Sequence, residues 1–405
     1  MIHQAPAGAR DLLPLEVAQK SWINDRLQRV FQTWGYKRIV TSTIQWVDTL
    51  MAGGAINSST VIPLQNIGEG QLALRPELTA SIARAVVTRM ENEAVQRLCY
   101  RANVFRNEAE GHHGKQLEFY QAGVELLFAD GLLADAEILL LVANCLDSLG
   151  LDNWCLLLGD AGLTRSLLKV FPAPLQPQIL HCIANLDRVT LQNLDLSPDL
   201  QQKALQLFDL RGAGEDVLSK VEQLWGDETE VVTHLRHLLN LVNSSYGQSL
   251  PIIFDLSLVQ TFDYYTGIVF DVVSYRNGQP VILGQGGRYD QLLGLYHPQG
   301  QNYAGIGFSL NIEDLHGCLL STSHLPTTTP PSDWLVIPRT SSAAQQAFIY
   351  AQKLRCSENV VRVEVLLTGA DNIKEYAQAE GIRNLAWIHE SGAVEVDILT
   401  TLTQP

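Results

Sequence analysis

The sequence predicts an α+β protein built on an antiparallel sheet, carrying a helical insertion and ending in a small α/β domain. Three observations lead there. The strand-like segments "RLCYRANVFRNE" and "LEFYQAGVELLF" are joined by the polar stretch "AEGHHGKQ", a loop suited to a hairpin. From about residue 163 to 245 the pattern is helical throughout. A polar, proline-rich stretch, "STSHLPTTTPPS" (321–332), then precedes alternating strand-like and helix-like segments.

In chain order, residues 15–34 follow "PAGARDLLP" and carry Val17, Trp22, Ile23, Leu27, Val30 and Phe31, a spacing suited to an amphipathic helix that Gly35 stops. "YKRIVTSTIQWV" reads as a strand. "GQLALRPELTASIARAVV" reads as a strand, a turn at Arg75-Pro76 and a helix. After the hairpin come a helix over 131–150 and the strand "WCLLLGD". The insertion contributes "LTRSLLKVF", "LQPQILHCIANL", "DLQQKALQLFDL" and "VVTHLRHLLNLVN". Strands resume at "PIIFDLSLV", "YYTGIVFDVVSY" and "QPVILGQGG", and "YAGIGFSLNI" closes the sheet. The expected division is a core over 1–320, a linker over 321–333 and an α/β domain over 334–405, with "WLVIP", "VVRVEVLL" and "LAWIH" as its strands.

Composition narrows the function. The 405 residues are 46% hydrophobic and 18% charged, enough for two or three domains with large cores. The net charge of −15 excludes a global basic field that would recruit nucleic acid. Residues 334–405 hold six Lys/Arg against eight Asp/Glu and offer no basic footprint either. The six cysteines form no C-x-x-C pair and no zinc spacing, so buried thiols in a reducing compartment are expected. There is no apolar signal core in "MIHQAPAGARDLLPLE", and no apolar run approaches the roughly 18 residues that span a membrane. The reading is a soluble, cytoplasmic protein.

Several constellations carry chemistry. "LRPELTA" sets Glu77 and Thr79 at a strand-to-helix turn beside Arg75, where a carboxylate and a hydroxyl could hold a ligand ammonium; a helix cap with a surface ion pair is the plainer alternative. On the second hairpin strand, Gln121, Gly123 and Glu125 point to one face, as a lined pocket or as a solvated sheet face. In "GQGGRYDQLLG", Gly286 and Gly287 allow close backbone approach to a ligand, with Arg288 and Tyr289 following. His112 and His113 lie in a polar loop and read as exposed side chains.

In this order the motifs resemble the class II aminoacyl-tRNA synthetase core of the histidyl type, over nearly the whole chain. "FRNE…EFYQAGVE" and "AGIGFSLNIEDL" resemble its second and third class motifs. "DYYTGIVFD" and "GGRYD" resemble its two histidine-specific motifs. The resemblance implies an antiparallel sheet flanked by helices and a shortened anticodon-binding domain at the C-terminus. It also implies a histidine pocket of Glu77, Thr79, Arg106, Gln121, Glu125, Tyr264 and Tyr265. Glu77, Thr79 and Gln121 would receive the ammonium, and Glu125 and a tyrosine the ring nitrogens.

The departures are cationic. Adenylate formation needs positive charge around the phosphates. The family has arginine where this chain has Gln260, and the third motif's phosphate-binding arginine aligns with Asp314. Leu117 stands where a further basic residue is expected, and Ser42 replaces the first motif's usual proline. Arg106 and Arg288 survive. This pattern resembles the regulatory subunits of ATP phosphoribosyltransferase. That resemblance implies a non-catalytic chain with no cofactor, no bound tRNA and no membrane association. It implies a self-dimer within a hetero-octamer with the short-form catalytic subunit, and histidine as feedback effector at the first step of histidine biosynthesis. A working histidyl-tRNA synthetase is the competing reading, and a synthetase-like protein with another acylation or binding task is a third.

Overall fold

Pro14 opens the first helix, α1 (Pro14–Thr33), from its first turn, where a missing backbone N–H costs nothing. Ile23, Leu27, Val30 and Phe31 follow at helical spacing and are buried, and Gly35 turns the chain out with a φ of 80°. In this computed structural model the chain divides into two compact units, one of residues 1–13 and 19–325, the other of residues 14–18 and 326–405. The structure describes all residues except 1, 2, 4, 53–55, 57, 66–69, 91–93, 108–115, 227, 228, 248, 259–264, 368–371 and 400–405.

The first unit continues with β1 (Lys37–Arg38), β2 (Ile44–Trp46), α2 (Val47–Met51), β3 (Ile62–Pro63), β4 (Leu72–Leu74), α3 (Thr79–Arg89), β5 (Gln96–Phe105), β6 (Glu118–Leu127), α4 (Leu132–Leu149) and β7 (Trp154–Asp160). A helical stretch follows: α5 (Ala161–Leu168), α6 (Gln176–Ala184), α7 (Arg188–Gln192), α8 (Pro198–Phe208), the short β8 (Arg211–Gly212), α9 (Gly214–Trp225) and α10 (Thr229–Tyr246). The sheet resumes with β9 (Ile252–Asp255), β10 (Ile268–Arg276) and β11 (Gln279–Arg288), then α11 (Leu292–Tyr296), β12 (Gly305–Asn311) and α12 (Ile312–Leu319).

These strands form one nine-stranded sheet in the order β1-β5-β6-β12-β11-β10-β7-β9-β8. Its six long central strands, β5, β6, β12, β11, β10 and β7, pair antiparallel throughout, whereas β1 and β9 join in parallel. Seven successive residues of β6 are buried, which marks a strand covered on both faces. The larger core packs α1, α4, α12 and the helical stretch on one face. The smaller core sets α3 and α11 against the other, with Tyr265 and Tyr289 among its buried residues.

The segment 36–47 does not form the single strand its composition suggested. It splits into β1, which extends the large sheet, and β2, which joins β3 and β4 in a separate three-stranded sheet. Pairings of two or three residues are set by tertiary partners rather than by local propensity.

In the second unit β13 (Trp334–Pro338), α13 (Ala344–Arg355), β14 (Val363–Val365), α14 (Ile373–Ala379), β15 (Asn384–Ile388) and β16 (Val394–Ile398) form a sheet ordered β14-β13-β15-β16. Ala347 and Ala351 of α13 fill one side of it, and Ala377 of α14 the other. Cys99, Cys145, Cys182 and Cys318 are buried as expected, but Cys356 is exposed and Cys155 only half-buried. No described helix is long and apolar enough to cross a membrane.

Candidate functional site

Strand periodicity puts Gln121, Gly123 and Glu125 of β6 on one face. The register sets Glu125 against Gly307 of β12 and Gly123 against Tyr100 of β5. These two glycines shape the site. A Cβ on Gly307 would collide with the Glu125 carboxylate, and one on Gly123 would lie 2.5 Å from the Tyr100 hydroxyl. The first turn of α3 adds Glu77 and Thr79. The result is a cavity of about 240 Å³ lined by Glu77, Thr79, Tyr100, Arg106, Gln121, Glu125, Tyr265 and Tyr289, with Gln285, Ser309 and Asn311 also on its wall. That volume falls just below the roughly 300–1,000 Å³ of drug-sized sites and suits an amino acid.

Glu125 is 1% exposed. Thr79 Oγ1 donates to its Oε1 at 2.8 Å, and the Tyr289 hydroxyl donates to its Oε2. Both bonds favour the carboxylate, yet burial outweighs them and, with Glu77 nearby, pushes the Glu125 carboxyl up to about 8. Glu77 accepts from the Ala80 N–H with both oxygens, at 3.0 and 3.2 Å, so it caps α3 as well as lining the cavity. Its carboxyl is also raised, burial outweighing the cap and the nearby Arg106. Arg106 itself donates from Nε to the Pro76 carbonyl at 2.9 Å. Two carboxylates that burial makes reluctant to ionise, with one arginine, form a site that a ligand cation would complete. Among the described residues no group of His, Cys, Asp or Glu could hold a metal ion.

Six of the seven expected pocket residues, Glu77, Thr79, Arg106, Gln121, Glu125 and Tyr265, thus line one cavity. Tyr264 and Gln260 lie outside the described residues, as do His112 and His113. Tyr100 and Tyr289 belong to the cavity without having been named for it. The hairpin register that opposes Tyr100 to Gly123 was the signal for the first; "GGRYD" itself held the second.

Two expectations need correction. Gly286 and Gly287 do not admit a ligand, because Phe270 fills the space at Gly286 and the Tyr265 ring lies 2.7 Å from where a Cβ of Gly287 would be. Arg288 does not face the cavity either. Its Nε and Nη2 donate to Asp135 Oδ1 at 2.9 and 2.7 Å, on the opposite face of the sheet. Asp314 sits in the first turn of α12, outside the cavity lining. Burial raises its carboxyl, partly offset by Arg276. The preceding Glu313 is tied to Lys20 Nζ at 3.0 Å and accepts from the Tyr120 N–H at 3.0 Å. A helix N-terminus attracts anions, and here Asn311 caps it while Glu313 and Asp314 put two acidic side chains in its first turn.

The antiparallel sheet with its carboxylate-lined cavity defines a class II synthetase-like fold of the histidyl type. The histidyl-tRNA synthetase family profile matches residues 8–315. A solved histidyl-tRNA synthetase from Nostoc shares the fold, with a TM-score of 0.78 at 20% identity over 98% of this chain and 96% of that one. A structure from Bacillus halodurans described as an ATP phosphoribosyltransferase regulatory subunit/histidyl-tRNA synthetase reaches a TM-score of 0.80 at 27% identity, covering 96% of this chain and 99% of its own. Relatives named ATP phosphoribosyltransferase regulatory subunit are 61% identical in Rippkaea orientalis and 62% in Gloeothece citriformis, each over 405 residues, covering 98% of this chain and at least 99% of the relative. The chain belongs to the family of ATP phosphoribosyltransferase regulatory subunits.

Proposed function

We propose that this chain is the non-catalytic regulatory subunit through which histidine controls ATP phosphoribosyltransferase, at the first step of histidine biosynthesis. One observation supports the reading: Glu77, Thr79, Gln121 and Glu125 line one cavity, whereas the resemblance aligns Asp314, an acidic residue, with the arginine that adenylate chemistry uses. Histidine supplies what the cavity lacks, an ammonium for the carboxylates and a ring N–H for Glu125. A ligand without those groups would bury the Glu125 carboxyl with only its bonds from Thr79 and Tyr289 and no counter-charge, and would leave the Gln121 amide without a ligand partner, which discriminates against it.

The catalytic work then belongs to a partner, the short-form phosphoribosyltransferase subunit. Class II cores pair as symmetric dimers, which present matched surfaces to that partner in a hetero-octamer. Histidine inhibits by binding the inactive state of the complex more tightly than the active one. No tRNA and no cofactor take part, and the complex works in the cytoplasm.

Titration calorimetry on the full chain tests the site. Glu77→Ala and Glu125→Ala should each weaken histidine binding by about 1–3 kcal/mol, the range for a buried polar group left unpaired. Unchanged affinity in both variants places the histidine site elsewhere.

A further inference from the structure

Adjacent residues in a strand point to opposite faces of the sheet. Tyr289, just past β11, bonds Glu125 in the cavity, and Arg288 beside it reaches through to the far face. There its guanidinium is nearly enclosed, with the side chain 7% exposed, and both Nε and Nη2 converge on Asp135 Oδ1 of α4. That leaves Asp135 Oδ2 free for a second partner, His234 Nε2 of α10, at 3.1 Å. The backbone between the two faces is held firmly. Thr266 N–H donates to the Arg288 carbonyl at 2.7 Å, and Tyr289 N–H donates to the Gly305 carbonyl at 2.7 Å.

We propose that Arg288, Asp135 and His234 form a positioning relay that couples occupancy of the carboxylate cavity to helix α10 in the helical stretch. The proposal rests on histidine as the occupant for its ligand-bound arm. A ligand that draws Glu125 changes the hydrogen bond from Tyr289. Tyr289 cannot shift without its neighbour, because the strand ladder fixes the backbone of both. Arg288 cannot shift without loss from Asp135, because that buried carboxylate takes the Nε and Nη2 bonds, while Asp130 and Asp290 pair only with Nη1. Asp135 in turn holds His234, whose side chain is 37% exposed and stands on the element that packs on α4. The three residues act through Tyr289 and touch no ligand, so they are positioning residues. Their sequence separation, 153 between Arg288 and Asp135 and 99 between Asp135 and His234, makes the link tertiary rather than local.

The test uses the full chain in three forms: wild type, His234→Ala, and His234→Gln, which keeps an N–H donor for Asp135. His234 is half-buried, so the alanine form is expected to fold, and its melting temperature checks this. Carbon-13 NMR of labelled glutamate follows the Glu125 titration without ligand. It should lie near 8 in wild type, move upward in His234→Ala as the Tyr289 bond loosens, and return in His234→Gln. Hydrogen exchange of α10 with and without histidine is the second readout. Histidine should change α10 protection in wild type and His234→Gln but not in His234→Ala, and its affinity should fall about tenfold in the alanine form, within the 5–150-fold typical of site coupling. An identical Glu125 titration in all three forms overturns the relay. If wild type binds no histidine yet the titration still moves in His234→Ala, the relay stands and the choice of histidine as effector fails.

Discussion

Replacing Glu125 by glutamine should flatten the dependence of stability on pH. In the unliganded cavity the Glu125 carboxyl titrates at about 8 against an ordinary 4.5, because burial penalises the charge. The folded form therefore holds the proton more tightly than the unfolded form. The resulting stability is fully present below about pH 4.5 and is lost as the pH rises through about 8. At about 1.4 kcal/mol for each pH unit between the two values, the ceiling is about 5 kcal/mol. Water entering a cavity of about 240 Å³ reduces it; a loss of about 2–4 kcal/mol between pH 5 and 9 is the expected scale. Glutamine keeps the shape and a carbonyl acceptor for Thr79 or Tyr289 but carries no proton to lose. The assay is urea denaturation of both proteins across that range, repeated with saturating histidine. The wild-type curve should fall with pH and recover when histidine supplies a counter-charge, whereas the Glu125→Gln curve stays flatter and responds little. Parallel curves for the two proteins, with and without histidine, would refute the assignment of Glu125 as a buried carboxyl awaiting a cation.

Two further outcomes follow from the same geometry. Histidine-dependent ATP–pyrophosphate exchange should be absent, and the double change Gln260→Arg with Asp314→Arg should restore little of it, because Glu313 and its ties to Lys20 and Tyr120 still hold the start of α12 in acidic surroundings; exchange at a synthetase-like rate in the unaltered chain contradicts this. Gly123→Ala should destabilise the fold by about 1–3 kcal/mol, as overpacking of a close-packed site does, and should also abolish histidine binding, since the new methyl displaces the Tyr100 hydroxyl; calorimetry on a folded Gly123→Ala form with normal affinity would show that the Tyr100 side of the cavity is not used.

The architecture was legible because its signals are local. The hairpin of β5 and β6 declares itself by two long strand-like runs around a polar loop, and period two along β6 already places Gln121 and Glu125 together. Glu77 and Thr79 were readable from a strand-to-helix turn. The unread parts depend on distant partners. Strand β16 is mostly exposed, so "VEVDI" lacks the buried face that marks a strand in a sequence. Tyr100 enters the site through cross-strand register. The direction of Arg288 is decided by Asp135, far away in the chain, and no local pattern distinguishes a guanidinium aimed at a ligand from one aimed at a helix behind the sheet. The glycines of "GQGGRYD" are explained by the packing of Phe270 and Tyr265 rather than by ligand approach, which again only the neighbouring strand reveals.

Phosphoribosyl transfer from phosphoribosyl pyrophosphate to ATP by the short catalytic subunit, with and without this chain and across a histidine titration, tests the central claim most directly. The chain should stimulate the reaction, histidine should suppress the stimulated activity, and Glu125→Ala should keep the stimulation while losing the suppression. A catalytic subunit whose rate and histidine sensitivity are the same with and without this chain would contradict the account.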